Sequence, residues 1–221
     1  ALIWMLPVVG AVTTWAYTRY GGRSVEGNRV LFEEIETPRE RLQLRMAPMI
    51  LVATTVAHLA GASVGREGTA VQMSVPLADQ LSRLGRWNSH SRRVLLTSAL
   101  SAGFASVFGT PIAGMFFGLE VRRVGRANYD ALLPCLISSL VGNEVALALG
   151  AKHAVYDIGY VPPIDLWTVL SAALAGTAFG VAAMTFVRSM RWCAKLMSDL
   201  FPVQVLRPVI GGIVEIGRAH V

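Results

Sequence analysis

Apolar runs about as long as a lipid bilayer is thick recur along this chain, and they restrict its fold more than any other feature. They cover Ala1–Tyr17, Met46–Val64, Val94–Leu119, Leu132–Leu149 and Leu166–Val187. Crossing the hydrocarbon takes about 20 residues of helix, so about four to six passes fit. A soluble bundle would show polar stripes at the helical period, and these runs mostly lack them. Only 15% of the residues are charged, against about 25% in an average soluble domain, and the mean hydropathy is +0.51. The chain reads as an all-α, polytopic membrane protein.

Its net charge of +6 sits in the connections. Basic residues gather at Arg39, Arg41 and Arg45, at Arg83, Arg86, Arg92 and Arg93, at Arg122, Arg123 and Arg126, and at Arg188 and Arg191. Loops of this kind tend to face the cytoplasm. A pI near 9.9 would also suit a nucleic-acid partner, but the charge is dispersed between spans. The bilayer is the expected partner, and nucleic acid is not. Cys135 and Cys193 fall in apolar stretches without paired or metal-type spacing, and both are expected to be buried, inert thiols. No P-loop, zinc spacing or nucleophile–base pair is visible. ATP-driven transport, hydrolysis, a metal and a cofactor therefore have no support in the residues.

Both ends read as cut, since the chain opens inside an apolar run without an initiating Met. Residues 215–221, EIGRAHV, resemble the translation of a sequencing-adapter read-through and are expected to be a non-native tail.

Glycine and proline divide the apolar runs. Pro7 is expected to bend the first. An amphipathic helix over about Asn28–Glu36 closes at Thr37-Pro38, and Met46–Ser63 reads as a span. Glu67–Leu84 is helical with an interruption at Pro76. Ser91–Phe108 is rich in small residues, which let helix backbones approach closely in lipid. Gly109-Thr110-Pro111 breaks it, and Ile112–Val121 follows with Pro111 at its start, where a missing N–H costs nothing. Ala127–Leu149 and Asp165–Met197 read as spans, the second long enough to tilt or reach into water. Phe201–Val214 would start another. Short apolar segments interrupted by Gly or Pro point to a substrate site built from helix ends near the membrane midplane. A channel or transporter is the favoured class.

Gly65-Arg66-Glu67-Gly68-Thr69 stands out within this pattern. The glycines permit tight backbone geometry. The first N–H groups of a helix starting near Glu67 lack intrahelical acceptors, so pointed into a cavity they would bind an anion. Glu67 is itself an anion at that spot: its carboxylate could occupy a halide's place, and protonation would release it. The plainer alternative is a capping glutamate at an interfacial helix start, with Arg66 reaching toward headgroups.

GREGTAVQM resembles a signature of the CLC family of chloride channels and proton-coupled anion exchangers. SAGFASVFGTPIAGMFFGLEV, residues 101–121, resembles that family's second signature. The resemblance implies a broken-helix, inverted-repeat CLC-type fold. Residues 1–150 would be the first repeat, truncated at its N-terminus. Residues 151–214 would be a linker and the first helices of the second repeat. It implies Glu67 as the gating and proton-transfer residue, and Gly65, Arg66, Gly68 and Thr69 as the turn whose amides face the anion. Glu120 matches the first acid at the end of the second motif. Val121 stands where exchangers often carry a second, proton-relaying acid. Thr69 replaces the usual proline, giving the GREGT form associated with the fluoride-exporting branch. The halide-coordinating serine loop is absent; Gly27-Asn28 is the best match, with Ser24 and Glu26 as competitors. The implied function is halide/proton antiport of fluoride or chloride, with a passive chloride channel as the alternative. A homodimer in a cell membrane, in bacteria the inner one, is implied as well.

Other residues have two readings. His58 could relay protons, or be a satisfied interhelical donor. Asn143 and Glu144 could pair structurally or lie at an interface. Phe104, Phe108, Phe116 and Phe117 could line an anion path or pack the core. Trp4, Trp15, Trp87, Trp167 and Trp192 fall mostly near span ends, where amphipathic rings settle. An intramembrane enzyme or scaffold built on Glu67 and His58 is a rival class, but it would need a nucleophile or metal set.

Overall fold

The computed structural model describes residues 2–38, 40–85, 87–121, 129–153 and 159–218. The basic residues Arg39, Arg86, Arg122, Arg123 and Arg126 lie outside them. Among the described residues the chain is helical, with no strand. In order, the helices are α1 (Leu6–Tyr20), α2 (Asn28–Glu36), α3 (Met46–Leu59), α4 (Glu67–Leu84), α5 (Ser89–Phe108), α6 (Pro111–Glu120), α7 (Leu132–Ala148), α8 (Leu166–Leu200) and α9 (Leu206–Arg218).

The apolar runs are cut where the sequence offers a break. The first divides near Pro7 into a 3-10 turn, Leu2–Met5, and α1. The run from Met46 stops being helical at Leu59, and Gly61 turns the chain with φ +87°. Val94–Leu119 splits at Gly109, whose φ of +70° caps α5, and Pro111 then opens α6. Among the described residues, two helical segments are therefore long and apolar enough to cross a bilayer, 129–148 and α8; α3 is apolar but only 14 residues long. The expectation of four to six full spans gives way to short, interrupted helices.

Expected interruption at Pro76 does not occur. The helix α4 runs through it, although proline cannot donate to the carbonyl four residues back, which belongs to Gln72. Burial of Val75 and Pro76 in the core holds the helix together there. The amphipathic α2 buries Val30, Leu31, Glu34 and Ile35 on one face, while Arg29 and Glu33 pair outside at 2.8 Å. Val30, Leu31 and Ile35 pack with Val71 and Val75 of α4 and Leu96 and Leu100 of α5. A second core joins Met115 and Leu119 of α6 to Cys135 of α7.

Small residues make α5 the hub. A Cβ placed at Gly118 of α6 would lie 3.0 Å from the Thr97 carbonyl oxygen and closer still to the Ser101 hydroxyl. One placed at Gly142 of α7 would lie 3.1 Å from the Ala102 carbonyl oxygen. At Gly103 of α5 itself, it would lie 3.1 Å from Ala70 O of α4. Backbone thus meets backbone on three sides of one helix, the packing that lipid-embedded helices favour. Gly118→Ala should cost about 1–3 kcal/mol through overpacking. Thermal unfolding in detergent reads this directly, and an unchanged midpoint would refute the close approach.

The 35-residue α8 has no buried residue. At 1.5 Å per residue it extends about 52 Å, well beyond the hydrocarbon thickness of about 30 Å, as its sequence suggests. Asp165 caps its start by accepting from Thr168 N–H at 2.7 Å, and that bond holds the carboxyl below the usual carboxylate range. Cys135 is buried as expected, but Cys193 on α8 is exposed: an apolar stretch on this helix faces outward. All five tryptophans are exposed. α9 continues through residues 215–218, and the Glu215 carboxylate accepts from Ser63 N–H at 2.9 Å.

Candidate anion site at the start of α4

Helix α4 starts at Glu67, preceded by Arg66 in a helical conformation with no side-chain cap. The first amide that turns back into the helix is Ala70 N–H, which donates to Arg66 O at 3.1 Å. The amides of Glu67, Gly68 and Thr69 therefore have no acceptor within the helix and form the positive end of its dipole. A Cβ at Gly65 would lie 2.5 Å from Glu67 Oε2, so the carboxylate folds back over that glycine. Glu67 and Arg66 are exposed, and a Cβ at Gly68 would meet no atom within 4 Å. An exposed carboxylate thus stands beside open space and unpaired amides.

Thr69 and Thr54 share a hydrogen bond between their hydroxyls at 2.9 Å, tying the first turn of α4 to α3. His58 Nδ1 lies 2.7 Å from the Thr54 carbonyl oxygen. A carbonyl only accepts, so Nδ1 carries the proton and is satisfied within its own helix.

A cleft of about 460 Å³ opens between α1, α3, α4 and the turn before α2, with Tyr17, Ser24, Gly27, Thr54, Val64 and Gln72 among its lining. Gly27 takes φ +59° and ψ −131°, a conformation suited to glycine. Asn28 begins α2 and is exposed, as is Glu26. Ser24 is 4% exposed, and its hydroxyl has no partner. The structure so brings Ser24 and Gly27 to the cleft that also borders the Thr54–Thr69 tie. Of the residues the sequence proposes, only Gly27 and the competitor Ser24 line it; Gly65, Arg66, Glu67, Gly68, Thr69, Asn28, Glu120 and His58 do not. Glu120 ends α6 exposed, and Val121 packs against the core formed by α2, α4 and α5. Phe104 stacks on Phe117 with centroids 4.3 Å apart, while Phe116 is half exposed. Asn143 donates to Glu144 at 3.2 Å.

The two helices that begin at these turns are joined farther along by Arg92 of α5. Its Nε and Nη2 donate to the two Asp79 carboxylate oxygens of α4 at 2.6 and 2.9 Å. Nη1 lies 3.3 Å from Glu34 Oε2 of α2, and Nη2 also donates to Glu40 O at 2.8 Å. Asp79 accepts in addition from Leu42 N–H and the Ser82 hydroxyl. Arg23 reaches Glu34 from the opposite side at 3.3 Å. Fully paired, these buried charges lock α2, α4 and α5 into one arrangement. Sequence reading missed them, and it also missed Gln72, which lies inside GREGTAVQM but carries no charge to draw notice.

Short helices broken at glycine and proline, packed closely through small residues, define the class of fold. The family described as voltage gated chloride channel matches residues 9–217, and the chain belongs to that family. A chloride/fluoride channel protein of Pseudomonas syringae pv. tomato is 46% identical over 212 residues, covering 96% of this chain and 47% of the relative. An H(+)/Cl(-) exchange transporter of Vibrio cholerae serotype O1 is 29% identical over 143 residues, 64% of this chain and 30% of its own length. The crystal structure of a CLC-type fluoride/proton antiporter superimposes with a TM-score of 0.90 at 30% identity, covering 96% of this chain and 54% of that one. The chain spans about half the length of the curated relatives it matches. The all-α CLC-type fold, the resemblance to the fluoride-exporting branch and the assignment to a family of channels and transporters, not enzymes, are all borne out.

Proposed function

We propose that this chain forms the first repeat, residues 1–150, and the start of the second, 151–214, of a halide transporter that exchanges fluoride or chloride for protons. Glu67 is its gate: charged, the carboxylate competes with the anion for the unpaired amides of Glu67, Gly68 and Thr69; protonated, it withdraws. The observation that carries this reading is the Glu67 carboxylate folded over Gly65 beside open space at Gly68. Gly65, Arg66, Gly68 and Thr69 form the cradle, and Gly27 with Asn28 supplies the facing turn. Glu120 and His58 are assigned no proton in this scheme. Fluoride as the favoured halide is supported by the names of the relatives just described. The transporter acts as a homodimer in a cell membrane, the inner one in a bacterium.

Liposomes containing the full-length protein test the proposal. Fluoride efflux should drive proton uptake, so that external pH rises as fluoride leaves. Fluoride efflux that leaves pH unchanged would instead establish passive conduction. That second reading is favoured by Val121, which cannot relay a proton.

A further inference from the structure

We propose that the Gln72 carboxamide donates a hydrogen bond to the anion held in the cleft at the Gly27 turn, and so sets the preference between halides. This rests on the anion-transport reading above and adds a ligand to it. Gly68 and Gln72 are four residues apart on α4 and share one face, separated by about 6 Å of helical rise. Because a Cβ at Gly68 would meet nothing within 4 Å, that face is open from the Glu67 turn toward Gln72. At its far end, Gln72 Nε2 stands 3.6 Å from where a side chain at Gly27 would begin. Gly27 has no such side chain, so the amide lies beside the turn, and both line the same cleft.

Gln72 is half-buried, lines the cleft and has no hydrogen-bond partner among the described residues. Its carboxamide is not enclosed, so it is open to the cleft, and an anion there would accept from it in place of water. Ser24 lines the same cleft with its own hydroxyl buried and unpaired, a second donor at the same place. Two neutral donors attract an anion without introducing a fixed cation that would hold it too tightly to leave. They also reward the ion that accepts the stronger hydrogen bond, which is the smaller halide.

The test is calorimetric titration of sodium fluoride and sodium chloride into the detergent-solubilised full-length protein, unsubstituted and as Gln72→Met and Gln72→Glu. Losing a hydrogen bond to a charged ligand should raise the fluoride Kd in Gln72→Met about 10- to 100-fold, and the chloride Kd by less. Gln72→Glu, which puts an acceptor-only carboxylate in the cleft, should abolish binding of both. Either variant suffices if the other fails to fold. A folded variant that binds both halides within about twofold of the unsubstituted protein overturns the assignment. Absence of halide binding by the unsubstituted protein overturns both this inference and the transport reading. Normal binding without halide flux in liposomes overturns the transport reading alone.

Discussion

Arg92→Met will cost the protein about 3–5 kcal/mol of stability, because removing one partner from a buried ion cluster strands the others. Asp79 is fully buried and Glu34 nearly so, and Arg92 donates to both. Deleting the guanidinium leaves Asp79 with Arg41 Nη1 only at 3.9 Å and removes one of the cations that reach Glu34. Arg23 is half-exposed and reaches only Glu34 and its exposed neighbours. Arg92→Lys will rescue little, since a point charge cannot span both Asp79 oxygens as the planar fork does. The checks are the thermal midpoint in detergent and the yield of monodisperse protein. A midpoint equal to that of the unsubstituted protein would mean the cluster contributes nothing.

Glu67→Gln removes the titrating group while keeping its shape. The carboxamide is neutral at every working pH, so it neither carries a proton nor displaces an anion by charge. Proton movement coupled to halide should fall about 100-fold or more, the scale on which losing a positioned proton carrier acts. Halide should still pass, and bind more tightly, because its built-in competitor is gone. Simultaneous fluoride-electrode and pH recordings on liposomes separate the two fluxes. Undiminished proton movement in this variant would remove Glu67 from the gate.

What a single sequence reveals follows from how local the cause is. The bounds of α2, Asn28–Glu36, are legible because Gly27 precedes them and Thr37-Pro38 follows. The break between α5 and α6 is legible for the same reason, and so is the turn at Gly65, whose charged residue between glycines stands out against its apolar surroundings. Arg92 misleads: placed by composition in a basic connection, it lies inside α5 and finds Asp79 13 positions away and Glu34 58 away. Such pairings arise only when helices pack. Cys193 misleads in the opposite sense, because an apolar neighbourhood along the chain does not say which side of α8 is covered. Ser24 is legible only as a competitor for the coordinating turn, and Gln72 carries no pattern that announces its proximity to Gly27.

The glycine and serine contacts around α5 limit how this protein can work. Where main chains touch on three sides, a helix has no slack to slide or rotate without prising its neighbours apart. In the transporter proposed above, α4, α5, α6 and α7 would therefore act as one block, with side chains such as Glu67 moving against it. Alternating access by rocking rigid bodies would have to place its hinge elsewhere.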